Sequence, residues 1–170
     1  MRLSGEKMDL NAFANKIKKL NPEIKKFLAK LKNKKVRNLD YLFQDAHEET
    51  FEEIDCLTCA NCCKTTSPIF SDKDVVRLAK RLRMPASDFI TKYLRVDEDK
   101  DYVLITAPCP FLGPDNYCSV YEDRPNACRE YPHTNRKNMY QLLDLTYKNT
   151  LVCPATLKIV EEVKKKLENS

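Results

Sequence analysis

The stretch Cys56-Leu57-Thr58-Cys59-Ala60-Asn61-Cys62-Cys63 packs four thiols into eight residues. No helix or strand turns all four inward, and each would need its own apolar pocket. Thiolates aimed at one place repel one another unless a cation neutralises them, and a metal is the simplest such cation. The spacing sharpens this. C-x2-C-x2-C supplies three ligands to the cubane cluster of bacterial ferredoxins, where the fourth cysteine is followed by proline. C-x2-C alone also serves zinc. The stretch thus says metal, and leaves iron or zinc open.

Four more cysteines follow: Cys109, Cys118, Cys128 and Cys153. Cys109-Pro110 and Cys153-Pro154 both carry the trailing proline. The side chains of Cys62 and Cys63 diverge, so one of them serves a second site or is a spare thiol. Eight thiols divide into two four-thiolate sites, for example Cys56, Cys59 and Cys62 with one remote cysteine, then Cys63 with three. One four-cysteine site with structural thiols is the other arrangement. A tetrathiolate zinc or 4Fe–4S centre carries about −2 in total. Arg124 and Arg129, which flank Cys128, would offset that charge and tune the centre. Otherwise they are surface ion-pair residues beside Asp123 and Glu130.

Further out, the chain reads as a basic arm on a mildly acidic body. Between Arg2 and Arg37 there are 12 basic and 3 acidic residues; the remainder holds 18 basic and 22 acidic. The expected division is residues 1–37 as a basic helical N-terminal arm and 38–170 as the cysteine-cluster domain. With only 2 glycines, phosphate-cradling loops are excluded. Residues 1–13 mix charges with isolated apolar positions, so no secretory leader is expected. No run suits a membrane span. A cytoplasmic location follows as an expectation, and in a reducing compartment a disulfide framework is the lesser reading of the even cysteine count.

Apolar periodicity predicts a mainly α fold with irregular metal-binding loops and at most a small β-hairpin. Leu10, Phe13, Ala14, Ile17 and Leu20 mark one helix, and Ile24, Phe27, Leu28 and Leu31 a second, separated by Asn21-Pro22. Leu39 to Ile54 reads as a helix that delivers the chain to Cys56. Ser71 caps a helix with acids in its first turn. Ser87 caps a shorter one. Residues 101–106 are the strand candidate, residues 113–116 a turn, and residues 155–167 the last helix. Residues 140–147 fit either strand or helix. The arm lysines are either a solvated helix face or a contact for nucleic acid or an anionic surface. The absence of interleaved aromatics counts against single-strand binding.

The order Cys56-x-x-Cys59-x-x-Cys62-Cys63, Cys109-Pro110-Phe111-Leu112, Cys118-Ser-Val-Tyr121-Glu-Asp-Arg124-Pro125 and Cys128-Arg129-Glu-Tyr131-Pro132 resembles the YkgJ-type cysteine-cluster family of zinc- or iron-chelating domains. The likeness covers residues 56–132. Many members carry glycine inside the first run, where this chain has Ala60-Asn61. The resemblance implies a metal-chelating module. A related cysteine segment occurs in a bacterial flagellin lysine methylase, which implies iron–sulfur or radical chemistry, but no methyl-transfer apparatus maps onto this chain.

Among other residues, His133 is a candidate zinc ligand or, more simply, a neighbour of the centre. His47 reads as surface, Tyr121 and Tyr131 as packing around the centre, and Glu48, Glu49, Glu52 and Glu53 as a solvated face. The functional expectation is one or two cysteine-ligated centres, a 4Fe–4S cluster with a redox or enzyme-partner role. The rivals are a structural zinc module for macromolecular interaction and a metal chaperone that hands its ion to a protein partner.

Overall fold

The computed structural model describes residues 8–34 and 36–169. The expectation of no leader at residues 1–7 lies outside them. The described residues are mainly helical: α1 Leu10–Asn33, α2 Leu39–Glu53, α3 Asn61–Thr65, α4 Asp72–Arg81, α5 Ala86–Tyr93, α6 Asn126–Glu130, α7 Met139–Thr150 and α8 Pro154–Glu168. Strands β1 Leu94–Val96 and β2 Tyr102–Leu104 pair antiparallel, with Arg95 opposite Val103. Among the described residues no helix is long and apolar enough to cross a membrane. The chain divides into two compact units: the first runs through Cys59 and resumes at Pro132, and the second is Ala60–Tyr131.

The first unit is built from α1, α2, α7 and α8. Helix α1 begins where the Asp9 carboxylate accepts from the Asn11 and Ala12 amides, satisfying donors that the helix itself cannot. The expected break at Asn21-Pro22 does not occur; α1 runs unbroken with Pro22 inside it. The reason is phase. Phe13, Ile17, Ile24, Leu28 and Leu31 are all buried at helical spacing across Pro22. One continuous apolar stripe outweighs the missing amide, whose loss in a helix interior costs about 3 kcal/mol.

That stripe joins Leu39, Phe43 and Ala46 of α2, Met139 and Leu143 of α7, and Leu157, Ile159, Val160 and Val163 of α8 in one core. Fully burying such side chains contributes roughly 1.5–3 kcal/mol each. The two Asp40 oxygens accept from the Asn138 and Met139 amides at 2.7 and 2.8 Å, so α2 caps the start of α7. The ambiguous residues 140–147 are therefore helix. His47 is not simply surface. It is half-buried, its Nδ1 lies 2.8 Å from Thr134 Oγ1, and its ring sits 4.6 Å from that of Phe51. Burial lowers its pKa, with Glu48 opposing.

The second unit has its own smaller core: Phe70, Val75, Leu78, Ala79, Phe89, Leu94, Leu104, Phe111 and Val120. Ser71 opens α4 with a reciprocal capping box to Asp74. Helix α5 starts at Ala86 after Pro85, one residue ahead of the expected Ser87 cap, and Ser87 Oγ bonds Asp88 instead. The strand read over residues 101–106 contracts to β2, followed by bends. The Gly113–Asn116 turn forms, with the Gly113 amide donating to the Tyr117 carbonyl at 2.8 Å. A Cβ on Gly113 would stand 2.7 Å from Asp115 Oδ1 and 3.2 Å from that carbonyl oxygen, so a side chain there would be crowded.

Candidate metal centre

All eight cysteines are free thiols. Cys62, Cys63, Cys109, Cys118 and Cys128 belong to the second unit; Cys56, Cys59 and Cys153 belong to the first. The quoted cysteine run therefore crosses the boundary between units. Within the first unit, Cys56 and Cys59 share a turn closed by the Cys59 amide on the Cys56 carbonyl at 3.1 Å, and Cys153 is the N-cap of α8.

In the second unit the loops deliver their thiols by a repeated local geometry. The Leu112 amide donates to the Cys109 carbonyl, and the Tyr121 amide to the Cys118 carbonyl, each at 3.1 Å. In each turn a backbone N–H two residues on, at Phe111 and at Val120, bonds back to the cysteine sulfur. The same two residues are buried in the apolar core. Phe111 stacks near-parallel on Phe89 at 6.3 Å between ring centres and tilts against Tyr93 at 5.1 Å. One side chain thus anchors the turn while its own amide faces the sulfur. Such N–H···S bonds favour thiolate and are a recognised means of tuning a cluster. The Cys109 amide in turn donates to the Cys63 carbonyl at 2.8 Å, which ties the CC pair to the first turn.

Electrostatics links four of these sulfurs. Desolvation pushes Cys109 up to about 11, against the amides of Phe111 and Leu112, with Cys63 and Cys118 adding to the rise. Desolvation also pushes Cys128 up to about 12, with Cys63, Cys109 and Cys118 adding and Arg124 opposing. Cys118 is raised for the same first reason, against the Val120 amide, with Cys63 adding and Arg124 opposing. Cys63 goes the other way, to about 7: the Cys62 thiol, 4.0 Å from it, favours its ionised form, burial opposes, and Lys64 assists. The picture is of four partly buried thiols near enough that ionising one disfavours ionising another. Among the described residues, no three Cys, His, Asp or Glu side chains are closed to the spacing of a formed metal shell.

Four sulfurs supplied without a carboxylate suit soft, thiophilic ions, zinc or an iron–sulfur core, and do not suit magnesium or calcium. The donor set fits the implied metal. Each sulfur would bind as thiolate, and a cation would offset the burial and the neighbouring sulfurs that raise three of the four pKa values.

The two arginines take different positions. Arg124 acts on both Cys118 and Cys128 electrostatically, with its guanidinium 3.7 Å from the Tyr121 ring centre and Nη1 donating to the Tyr121 carbonyl at 2.7 Å. Arg129 Nε donates to the Arg124 carbonyl at 3.1 Å, and its Nη2 to the Glu122 carbonyl. His133 lies in the first unit. The sequence reading treated Asp74 only as a first-turn acid and missed its burial. It is 1% exposed. Burial works against its charge, but hydrogen bonds from Ser71, Arg77 and Asn126 hold its carboxyl below the usual carboxylate range. The S-x-x-D pattern marked the cap; no local signal marked the burial.

Comparison with known proteins bears on metal chelation and not on which cysteines share a site. No solved structure matches the chain. A protein of Methanocaldococcus jannaschii, named only as uncharacterized protein MJ0661, is 28% identical over 110 residues, covering 61% of this chain and 54% of that protein. The chain thus spans about half the length of that curated relative. Residues 55–154, more than half of the chain, match the family model CxxCxxCC, described as "Putative zinc- or iron-chelating domain". The matched segment holds every cysteine discussed above, and the chain belongs to the CxxCxxCC family.

Proposed function

We propose that this chain is a metal-binding protein whose second unit carries one centre on Cys63, Cys109, Cys118 and Cys128, and that the centre is a 4Fe–4S cluster with a redox or enzyme-partner role. The observation that carries the reading is the mutual field of those four thiols, delivered on turns whose amides already face two of the sulfurs. The trailing proline of Cys109 supports iron over zinc at this centre. Cys56, Cys59, Cys62 and Cys153 stay candidate metal ligands outside this centre. Arg124 would stand by the cluster and offset part of its negative charge. When bound, the cluster supplies one-electron chemistry; the chain supplies thiolates, N–H···S bonds and an apolar wall from Phe111 and Val120. A reducing, cytoplasmic setting would keep the thiols available.

The test is metal and acid-labile sulfide per chain, with a visible spectrum, on protein purified without oxygen. Brown protein with about four iron and four sulfide per cluster meets the expectation. Colourless protein with zinc and no sulfide overturns the cluster and leaves a structural zinc module.

A second reading concerns α1. Lys16 and Lys32 pair with Glu161 and Asp144. Lys18, Lys19, Lys26 and Lys30 are exposed, and among the described residues no carboxylate pairs with them. The apolar stripe of α1 is used in the core, so this face offers charge without an inserting surface, which suits a phosphate backbone better than a membrane. Salt-dependent duplex binding that is weakened by Lys→Gln at these four positions would support it; binding indifferent to them would overturn it.

A further inference from the structure

Helix α4 contributes no cysteine, yet it holds the segment between two of them. Arg77 Nε donates to the Asp123 carbonyl at 3.1 Å, and Nη2 to the Arg124 carbonyl at 2.9 Å. The same Nη2 meets Asp74 Oδ1 at 2.5 Å. Asp74 Oδ1 also accepts from the Asn126 amide at 3.2 Å, while Oδ2 accepts from the Ser71 amide at 3.0 Å and hydroxyl at 2.6 Å. Asp123, Arg124 and Asn126 all lie between Cys118 and Cys128.

A capping box needs only Ser71 and Asp74. Arg77 adds nothing to the cap, and a buried carboxylate is costly unless it is paired and hydrogen-bonded. Beyond that pairing, the bonds of Asp74 and Arg77 reach Asp123, Arg124 and Asn126, outside the helix they start. Between Cys118 and Cys128 only Val120 and Pro125 are buried, so apolar packing gives this stretch few anchors. Its carbonyls are held instead: Arg124 takes that of Tyr121, Arg129 those of Glu122 and Arg124, and Arg77 those of Asp123 and Arg124. Arg77 alone among these is based on another element and is fixed there by a buried partner.

We propose that Asp74 and Arg77 are positioning residues for the thiol centre, setting the separation of Cys118 and Cys128 through the main chain between them. Neither touches a sulfur in any bond described above. The inference rests on the four-thiol reading of the second unit. A guanidinium suits the task because its planar fork reaches two adjacent carbonyls and a carboxylate together, which an ammonium cannot do with fixed geometry.

The experiment compares the full chain, wild type and as purified with its own metal, with Arg77→Lys, Asp74→Asn and the control Arg81→Ala. Among the described residues, Arg81 pairs with the Asp123 side chain at 3.4 Å and is itself largely exposed. Two quantities are read: the rate of metal release to excess chelator, and residue-by-residue alkylation during release. Arg77→Lys and Asp74→Asn are expected to load metal, to release it about ten-fold faster or more, and to expose Cys118 and Cys128 to alkylation ahead of Cys63 and Cys109. Arg81→Ala is expected to match the wild type. Release within two-fold of wild type in Arg77→Lys overturns the inference, as does equal exposure of all four thiols, which would mark general loosening. Should Asp74→Asn fail to fold, Arg77→Lys decides alone. A wild type that carries no metal overturns the reading of the centre itself, whereas metal-loaded wild type with unaltered variants overturns only the positioning role.

Discussion

The two units of this protein are stabilised by different means. The first buries one core contributed by four helices, with Phe43, Met139, Leu143, Ile159, Val160 and Val163 at or below 1% exposure. The second has a smaller core, two three-residue strands, and a run of loops whose half-buried groups are thiols. In the first, apolar area does the work. In the second, loop carbonyls are held by arginines, and the proposed metal centre would add stability that its small core does not supply.

The largest effect that would break this contrast is metal removal. Chelation, or Cys109→Ser with Cys128→Ser, is expected to cost the second unit on the order of 10 kcal/mol of metal-linked stability. Amide exchange should rise across residues 60–131 and stay slow in α2 and α8. Equal loss in both units would refute a division by mechanism. The converse change is Phe43→Ala, which opens a cavity in the first core. It should lower stability by about 3–5 kcal/mol with metal content per folded chain unchanged, as read by melting beside metal analysis.

Acidity sharpens the comparison next. In the metal-free protein Cys109 and Cys128 hold their protons to about 11 and about 12, above the ordinary thiol value of 9.0. The folded state then binds protons more tightly than the unfolded chain. That contribution is whole below the unfolded value and is lost as pH rises through the folded ones. Metal-free second unit should therefore weaken as pH climbs past 9. The loaded protein should respond in the opposite sense, losing metal as pH falls, because each ligand must give up a proton. In the same metal-free protein near neutral pH, Cys63 should alkylate at least ten-fold faster than Cys128, since only Cys63 is appreciably ionised. Mass spectrometry of a timed iodoacetamide reaction checks the order.

Two smaller changes probe single residues. Ala60 sits at φ 50°, in the left-handed region, within the cysteine run. A Cβ there costs roughly 1–2 kcal/mol, so Ala60→Gly should stabilise by about 1 kcal/mol after the entropy of glycine is counted. Thr50 is buried, and its hydroxyl has no hydrogen-bond partner among the described residues. Thr50→Val should be neutral or stabilising by up to about 1 kcal/mol in thermal melts. A loss in either case would mean that the local conformation, or a partner for the hydroxyl, differs from that described.

The glycine position shows how much was legible in advance. The Ala60-Asn61 departure was visible in the residues, because the YkgJ-type resemblance led one to expect glycine there; that it marks a left-handed backbone was not. Pro22 teaches the opposite. Read locally, it divided α1 in two, because proline's missing amide is a local property. The stripe from Phe13 to Leu31 was in the sequence, but its phase across Pro22 mattered only because a core was present to reward it.

The sequence by itself determined the helical character and the metal chemistry. Apolar periodicity is a property of neighbours three and four residues apart, and four thiols in eight residues admit few other readings. It left open which thiols would share a site, because Cys63, Cys109, Cys118 and Cys128 are far apart along the chain and only folding brings them within one another's electrostatic reach. Nor could it show that Asp74 is buried and grips a loop through Arg77 some forty-six residues ahead, at Asp123. An acid in a first helical turn has the same local signature whether it faces water or a guanidinium. Only tertiary structure supplies the burial that makes the difference, because desolvation depends on what the rest of the chain places around a group and not on the residues beside it.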